Sequence, residues 1–135
     1  MSTVFRGSLF IACVGAINLA SSIGIPANGD VVTDWNTAAL NAIRAGSTAP
    51  PIASRSLAIL HVSIYDAVNG IARTHEPYLV QSAVSASASR EAAASAAAHD
   101  ALVNLFPARI ATFDALHAAI LAAFPDGPQK TAGIV

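Results

Sequence analysis

Residues 54–61, "SRSLAILH", put Ser54 and Arg55 ahead of His61 in the spacing S-R-x-x-x-x-x-H. A guanidinium grips oxyanions through paired N–H donors, and an imidazole can attack phosphorus, bond a metal oxyanion or carry a proton. The spacing therefore suits an oxyanion such as phosphate or vanadate. The competing reading is a buried helix whose few polar groups find partners inside the protein. For His61 this second reading is preferred: a core histidine with one or two hydrogen bonds.

The other polar residues are read in the same way. His99 and His117 sit on alanine-rich segments with no carboxylate-rich companion to complete a metal set, and Asp100 and Asp114 read as isolated surface charges. His75 lies in a proline-containing turn and is expected in solvent. Tyr65 is expected to pack, its hydroxyl reaching a carbonyl. Trp35 suits the anchor of a small core, with Asn36 tying a neighbouring loop. No catalytic, cofactor-binding or metal-ligating residue is assigned, and no cofactor is expected in this chain itself.

The elements that must position these residues are helices. Thr33 is the expected N-cap of a first helix over 34–45, which Gly46 ends. "GSTAPPI" is a rigid turn, and a second helix runs over 52–72 until "RTHEPY" breaks it at Pro77. Residues 79–88 fit either extended or frayed structure. Ser89 caps a third helix over 89–105, with Glu91 near its positive end. Pro107 opens a fourth, with apolar residues at 110, 113, 116, 120, 121 and 124, and Pro128 starts a fifth after the turn "PDGP". Alanine makes up 17 of the 41 residues from Ala83 to Ala123. It is the best helix former and lets backbones approach closely. The expected fold class is all-α, an antiparallel helical bundle or part of a larger helical enzyme.

On the second helix, Leu57, Leu60, Ile64, Val68 and Ile71 form one stripe, and His61 falls inside it. Arg55, Asp66, Asn69 and Arg73 form a polar strip about 170° away at 100° per residue. Asp66 with Asn69, and Asn69 with Arg73, are spaced to pair along the helix. Arg55 lies too far from Asp66 and is expected to partner another segment.

Composition narrows the classes. Hydrophobic residues make up 54% of the 135 and charged residues 11%, against roughly 25% in an average domain. A net charge of −1 provides no footprint for nucleic acid or anionic lipid. The single cysteine, Cys13, has no partner for an internal disulfide and no zinc spacing. Arg6, the apolar run "SLFIACVGAINLA" and the small residues "ASS" at 20–22 make a signal peptide, with cleavage expected after Ser22. Residues 1–22 are thus assigned to export into the periplasm or medium, and residues 23–135 to one helical domain. No stable membrane span is expected after processing, since Asn18, Ser21 and Ser22 interrupt the run before ~20 apolar residues.

Taken together, "DWNTAALNAIRAG", "PPIASRSLAILHVSIYDAVNG", "SREAAASAAAHDALVNLFP" and "ATFDALHAAILAAFPDGPQKTAG" resemble the N-terminal helical part of bacterial vanadium-dependent haloperoxidase-like proteins, within the type-2 phosphatidic acid phosphatase/haloperoxidase superfamily. The resemblance spans about residues 31–133 and rests on Trp35-Asn36, the Pro50-Pro51 turn and the Arg55/His61/Asp66 helix. It implies a mostly helical, often exported enzyme that binds vanadate, or phosphate in the phosphatase relatives, and oxidises halide with hydrogen peroxide. The family's site uses K-x-x-x-x-x-x-R-P, then P-S-G-H, then S-R-x-x-x-x-x-H. Here the only lysine is Lys130, no P-S-G-H occurs, and Ser54-Arg55-His61 precedes what it should follow. That match is therefore read as a coincidence of spacing within a scaffold.

Three roles follow as expectations. The chain is foremost the exported N-terminal scaffold of a haloperoxidase-like enzyme, truncated after "KTAGIV" and inactive alone. The alternative is a non-enzymatic structural or interaction module, paired with a separate C-terminal catalytic half. The third is a minimal phosphatase site built on Arg55 and His61, with a partner chain supplying the rest.

Overall fold

A computed structural model describes residues 30–81 and 84–134. The expected signal peptide and its expected cleavage point fall outside them. The fold is all-α: α1 (Val31–Ala45), α2 (Pro50–Ala72), α3 (Arg90–Leu105), a short 3-10 turn (Pro107–Arg109), α4 (Ile110–Ala122) and α5 (Pro128–Ile134). No strand occurs among the described residues.

Local chemistry sets most boundaries. Ser89 accepts from the Ala92 amide at 3.1 Å and donates its hydroxyl to Glu91 Oε2 at 3.0 Å, so the third helix starts where its cap residue predicts. Pro50 and Pro51 occupy the first turn of α2, where a missing N–H costs nothing, so the helix begins two residues before the expected start. The cap of α1 is Asp30 rather than Thr33. Asp30 Oδ1 accepts from the Val32 amide, and Thr33 lies inside the helix with its carbonyl taking the Thr37 hydroxyl. Pro107 opens the 3-10 turn instead of entering α4 directly, and from there the chain folds back on α3 with a bend of 119°.

α3 is the central element and touches every other helix. The main core collects Trp35 and Ala39 of α1, Leu60 and Ile64 of α2, Ala94, Ala98 and Leu102 of α3, and Phe113 and Ile120 of α4. A smaller cluster joins Ile71, Ala88 and Ala93. Alanines on α3 let the neighbouring backbones come close.

α5 shows how close. A Cβ added at Gly133 would lie 2.5 Å from the Ser89 carbonyl oxygen and 3.1 Å from the Ala92 methyl. Real Cβ atoms do not approach backbone so nearly, so Gly133→Ala must push α5 off the start of α3. The expected loss is about 1–3 kcal/mol, the usual range for overpacking. It should appear as faster amide exchange at Ser89, whose N–H donates to the Gln129 carbonyl at 2.9 Å. An unchanged melting temperature with slow Ser89 exchange would show that the contact relaxes freely.

Candidate functional site

α2 carries the residues with the most suggestive spacing, and its geometry separates them. Ser54 turns its hydroxyl back to the Pro50 carbonyl at 3.0 Å. Arg55 is exposed and makes no hydrogen bond to a described residue, contrary to the expected partner on another segment. His61 lies six residues on along an unbroken helix, about 240° further round the axis and 9 Å along it. The two side chains cannot close on one small ion.

His61 is also exposed, which corrects its expected place in the core. Burial on α2 centres on Leu60, Ile64 and Ile71, while Leu57 and Val68 are only half-buried. His61 sits about 60–100° round from those three, at the edge of the stripe. Its Nε2 lies 3.1 Å from Asn36 Oδ1, so Asn36 pairs with α2 rather than tying a loop.

The polar strip of α2 does something other than pair along the helix. Asp66 is buried and its carboxylate accepts three consecutive backbone amides: Tyr78 at 2.7 Å, Leu79 at 2.9 Å and Val80 at 2.9 Å. The Val80 amide, opposed by desolvation and joined by Tyr78 and Leu79, holds the carboxyl below its usual 3.8. Asn69 donates to the His75 carbonyl at 2.8 Å and accepts the His75 amide at 3.1 Å. Tyr65 donates its hydroxyl to the Glu76 carbonyl at 2.8 Å as expected, but the residue is exposed and not packed. Arg73 ends the helix in a left-handed conformation at φ 51° and donates to the Val84 carbonyl at 2.8 Å. Three side chains of this strip, with Tyr65 beside it, thus hold the segment that follows. His75 is exposed there, with its ring beside the Thr74 hydroxyl.

The second cluster joins three helices, and here the expectation of isolated groups is overturned. Trp35 is fully buried, and its Nε1 donates to Ser95 Oγ at 3.1 Å. Ser95, also fully buried, lies 2.9 Å from His117 Nδ1. Since the indole can only donate, the serine proton is free to go to His117, which leaves that imidazole protonated at Nε2. His117 stacks on His99 with centroids 4.8 Å apart and planes at 29°. His99 places Nε2 2.7 Å from Asp114 Oδ1 and Nδ1 3.2 Å from Asp100 Oδ1. Two ionised carboxylates accept and do not donate, so both contacts are hydrogen bonds only when both ring nitrogens carry protons, the imidazolium form of His99.

The two rings are driven apart in basicity. Burial lowers His99, but the bonds to Asp114 and Asp100 and their charges carry it above 6.5. Burial and then the charge of His99 push His117 below 6.5, against the pull of Asp100 and Asp114. A serine–histidine pair resembles a nucleophile and its base. Ser95 has no exposed surface, so its hydroxyl cannot meet a substrate in this conformation.

A sequence signal for this cluster existed. Ser95 and His99 are spaced i,i+4 on α3, and Asp114 and His117 i,i+3 on α4, each set beside buried apolar residues.

The residues present do not fit vanadate. Beyond the separated Arg55 and His61, Arg73 is committed to the Val84 and Gly70 carbonyls, and Lys130 to Asp126 and the Phe124 carbonyl. Among the described residues, no three His, Cys, Asp or Glu side chains are placed to hold a metal ion. No single helix among them is long and apolar enough to cross a membrane. Comparison with protein-family models, with curated proteins and with solved structures finds no match.

Proposed function

We propose that this chain is a helical scaffold, the N-terminal support of an exported haloperoxidase-like protein, and that it carries no oxyanion chemistry of its own. The observation that carries this reading is the use of α2. Its polar groups hold residues 75, 78–80 and 84, while Arg55 faces away from His61 and Ser54 lies about 10 Å from His61 along the axis. The order and spacing of the segments from Trp35 to the Pro128 turn support the family named for it.

The alternative, a free-standing interaction module, draws on a different feature. Asp66 holds Tyr78, Leu79 and Val80 with their side chains 74%, 80% and 56% exposed. Three consecutive large apolar residues in solvent suit a surface covered by another chain. Both readings make the chain a support; they differ in whether a catalytic half belongs to it.

Isothermal titration of the purified chain with vanadate should show no binding in the micromolar range, and a peroxide-dependent bromination assay no turnover. A buried oxyanion needs several donors converging within hydrogen-bond reach, and Ser54, Arg55 and His61 do not converge on one point of α2. Micromolar vanadate binding that disappears in His61→Ala would overturn the scaffold reading and revive Ser54-Arg55-His61 as a working site.

A further inference from the structure

We propose that the His99–His117 stack is a proton-operated latch, which holds α4 against α3 and Trp35 and releases it when a second proton enters the stack.

The geometry fixes how many protons the stack holds. His99 is clamped between Asp114 on its own far side and Asp100 beside it, and both bonds require its charged form. A neutral imidazole lying face to face on that cation at 4.8 Å is an attractive partner. His117 meets this need, because Nδ1 accepts from Ser95 while Ser95 accepts from Trp35. One chain of bonds thus runs from α1 through α3 to α4 and ends on an uncharged ring.

A second proton breaks the arrangement in two ways. It places two like charges in face-to-face contact, away from full solvent screening. It also turns His117 Nδ1 into a donor, so the Ser95 hydroxyl must turn its proton elsewhere and accept from His117 as well as from Trp35. The charged groups acting on His117 are His99 and Asp100 of α3 and Asp114 of α4, while α1 presents the uncharged Trp35. The two carboxylates, both largely exposed, bond to His99 and attract His117 only at a distance, with no direct hydrogen bond to it. Beyond this chain of bonds, α4 is held by its buried Phe113 and Ile120 and by half-buried Leu116.

The sign follows from the two shifts. His117 has a folded-state pKa below 6.5, so the open state binds the proton more readily, and the latch weakens as pH falls through and below 6.5. His99 is raised, so its contribution is complete below 6.5 and is lost as pH rises through its higher folded value. Closure is therefore tightest near 6.5 and loosens on both sides, the acid side through His117 and the alkaline side through His99.

Amide exchange on the intact chain, corrected for intrinsic rates, tests this. Between pH 7 and pH 5, residues 110–122 should lose protection as pH falls below 6.5, by up to about tenfold per unit of pH between 6.5 and the lowered value of His117. Residues 60–71 and 92–102 should keep theirs. Histidine Cε1–H resonances should show one ring titrating above 6.5 and one below. His117→Phe keeps an uncharged ring on the His99 cation and removes the second proton, so its α4 protection should not change over that range. His99→Gln removes the first charge and should move the His117 titration upward, which is readable whether or not the phenylalanine variant folds. Unchanged α4 protection from pH 7 to pH 5, a loss spread evenly over all helices, or an equal loss in His117→Phe would each overturn the latch.

Discussion

Alanine in place of Trp35 should cost about 3–5 kcal/mol of folding stability, the range for removing a buried aromatic side chain. Small domains hold about 5–15 kcal/mol in total, so the loss is a large fraction of the whole and should move the unfolding midpoint strongly. The side chain is fully buried and sits between three rings: Phe113 at 6.4 Å, His99 at 6.3 Å and His117 at 6.5 Å between centroids. It also provides the N–H that Ser95 accepts. Trp35→Phe separates the two roles. It keeps most of the apolar contact and removes only the donor, and should cost about 1–2 kcal/mol, near that of one buried hydrogen bond. Urea titrations of both variants, followed by helical circular dichroism because Trp35 is the only tryptophan, would read the difference. If Trp35→Ala unfolds within 1 kcal/mol of the wild type, then Trp35 is not the joint between α1, α3 and α4.

Asp66→Asn should release residues 78–80 while leaving the helices in place. The carboxylate offers both oxygens to amide donors, Oδ1 to Tyr78 and Oδ2 to Leu79 and Val80. An asparagine must turn its NH2 group toward one of those sets, and two donors then face each other. Exchange at the amides of 78–80 should rise by an order of magnitude or more, and trypsin should cut after Arg73 sooner than in the wild type. The wild-type loop should show the same loosening in acid. Because the folded pKa lies below 3.8, the contribution of Asp66 is complete above 3.8 and is lost as pH falls through the lowered value. That window is well below the one assigned to His117, so the two events separate on a pH axis. Unaltered exchange at 78–80 in Asp66→Asn would show that the loop is held by Asn69, Tyr65 and Arg73 alone.

Apolar rhythm and end signals determined the helices of this protein. Ser89, the Pro50-Pro51 pair, Gly46 and Pro128 carry their structural meaning within a few residues of chain, because caps and φ restrictions act locally. The burial of Trp35 and of the Leu60–Ile64 stripe was legible for the same reason: large apolar groups at helical spacing have few places to go. Tyr65 reaching a carbonyl was legible too, since an aromatic hydroxyl next to a helix end meets the turn that follows.

Which helix faces meet was decided only by the tertiary structure. α2 is apolar nearly all round, so a rotation of well under a quarter turn puts His61 inside or outside, and the position of α1 and α3 settles it. α3 is harder still. Ala92, Ala93, Ala94 and Ala98 are buried and Ala96, Ala97 and Ala101 half-buried, so its side-chain pattern barely distinguishes one face from another. Ser95 and His99 meet His117 because α4 folds back across that particular face, and the angle at Pro107–Arg109 that brings it there depends on what α4 packs against. Asp66 is the same case over a shorter range. Its spacing on the helix suggested a partner along the helix, but three backbone amides of an irregular loop bind a carboxylate better than one neighbouring side chain, and an irregular loop leaves no period in a sequence from which to read it.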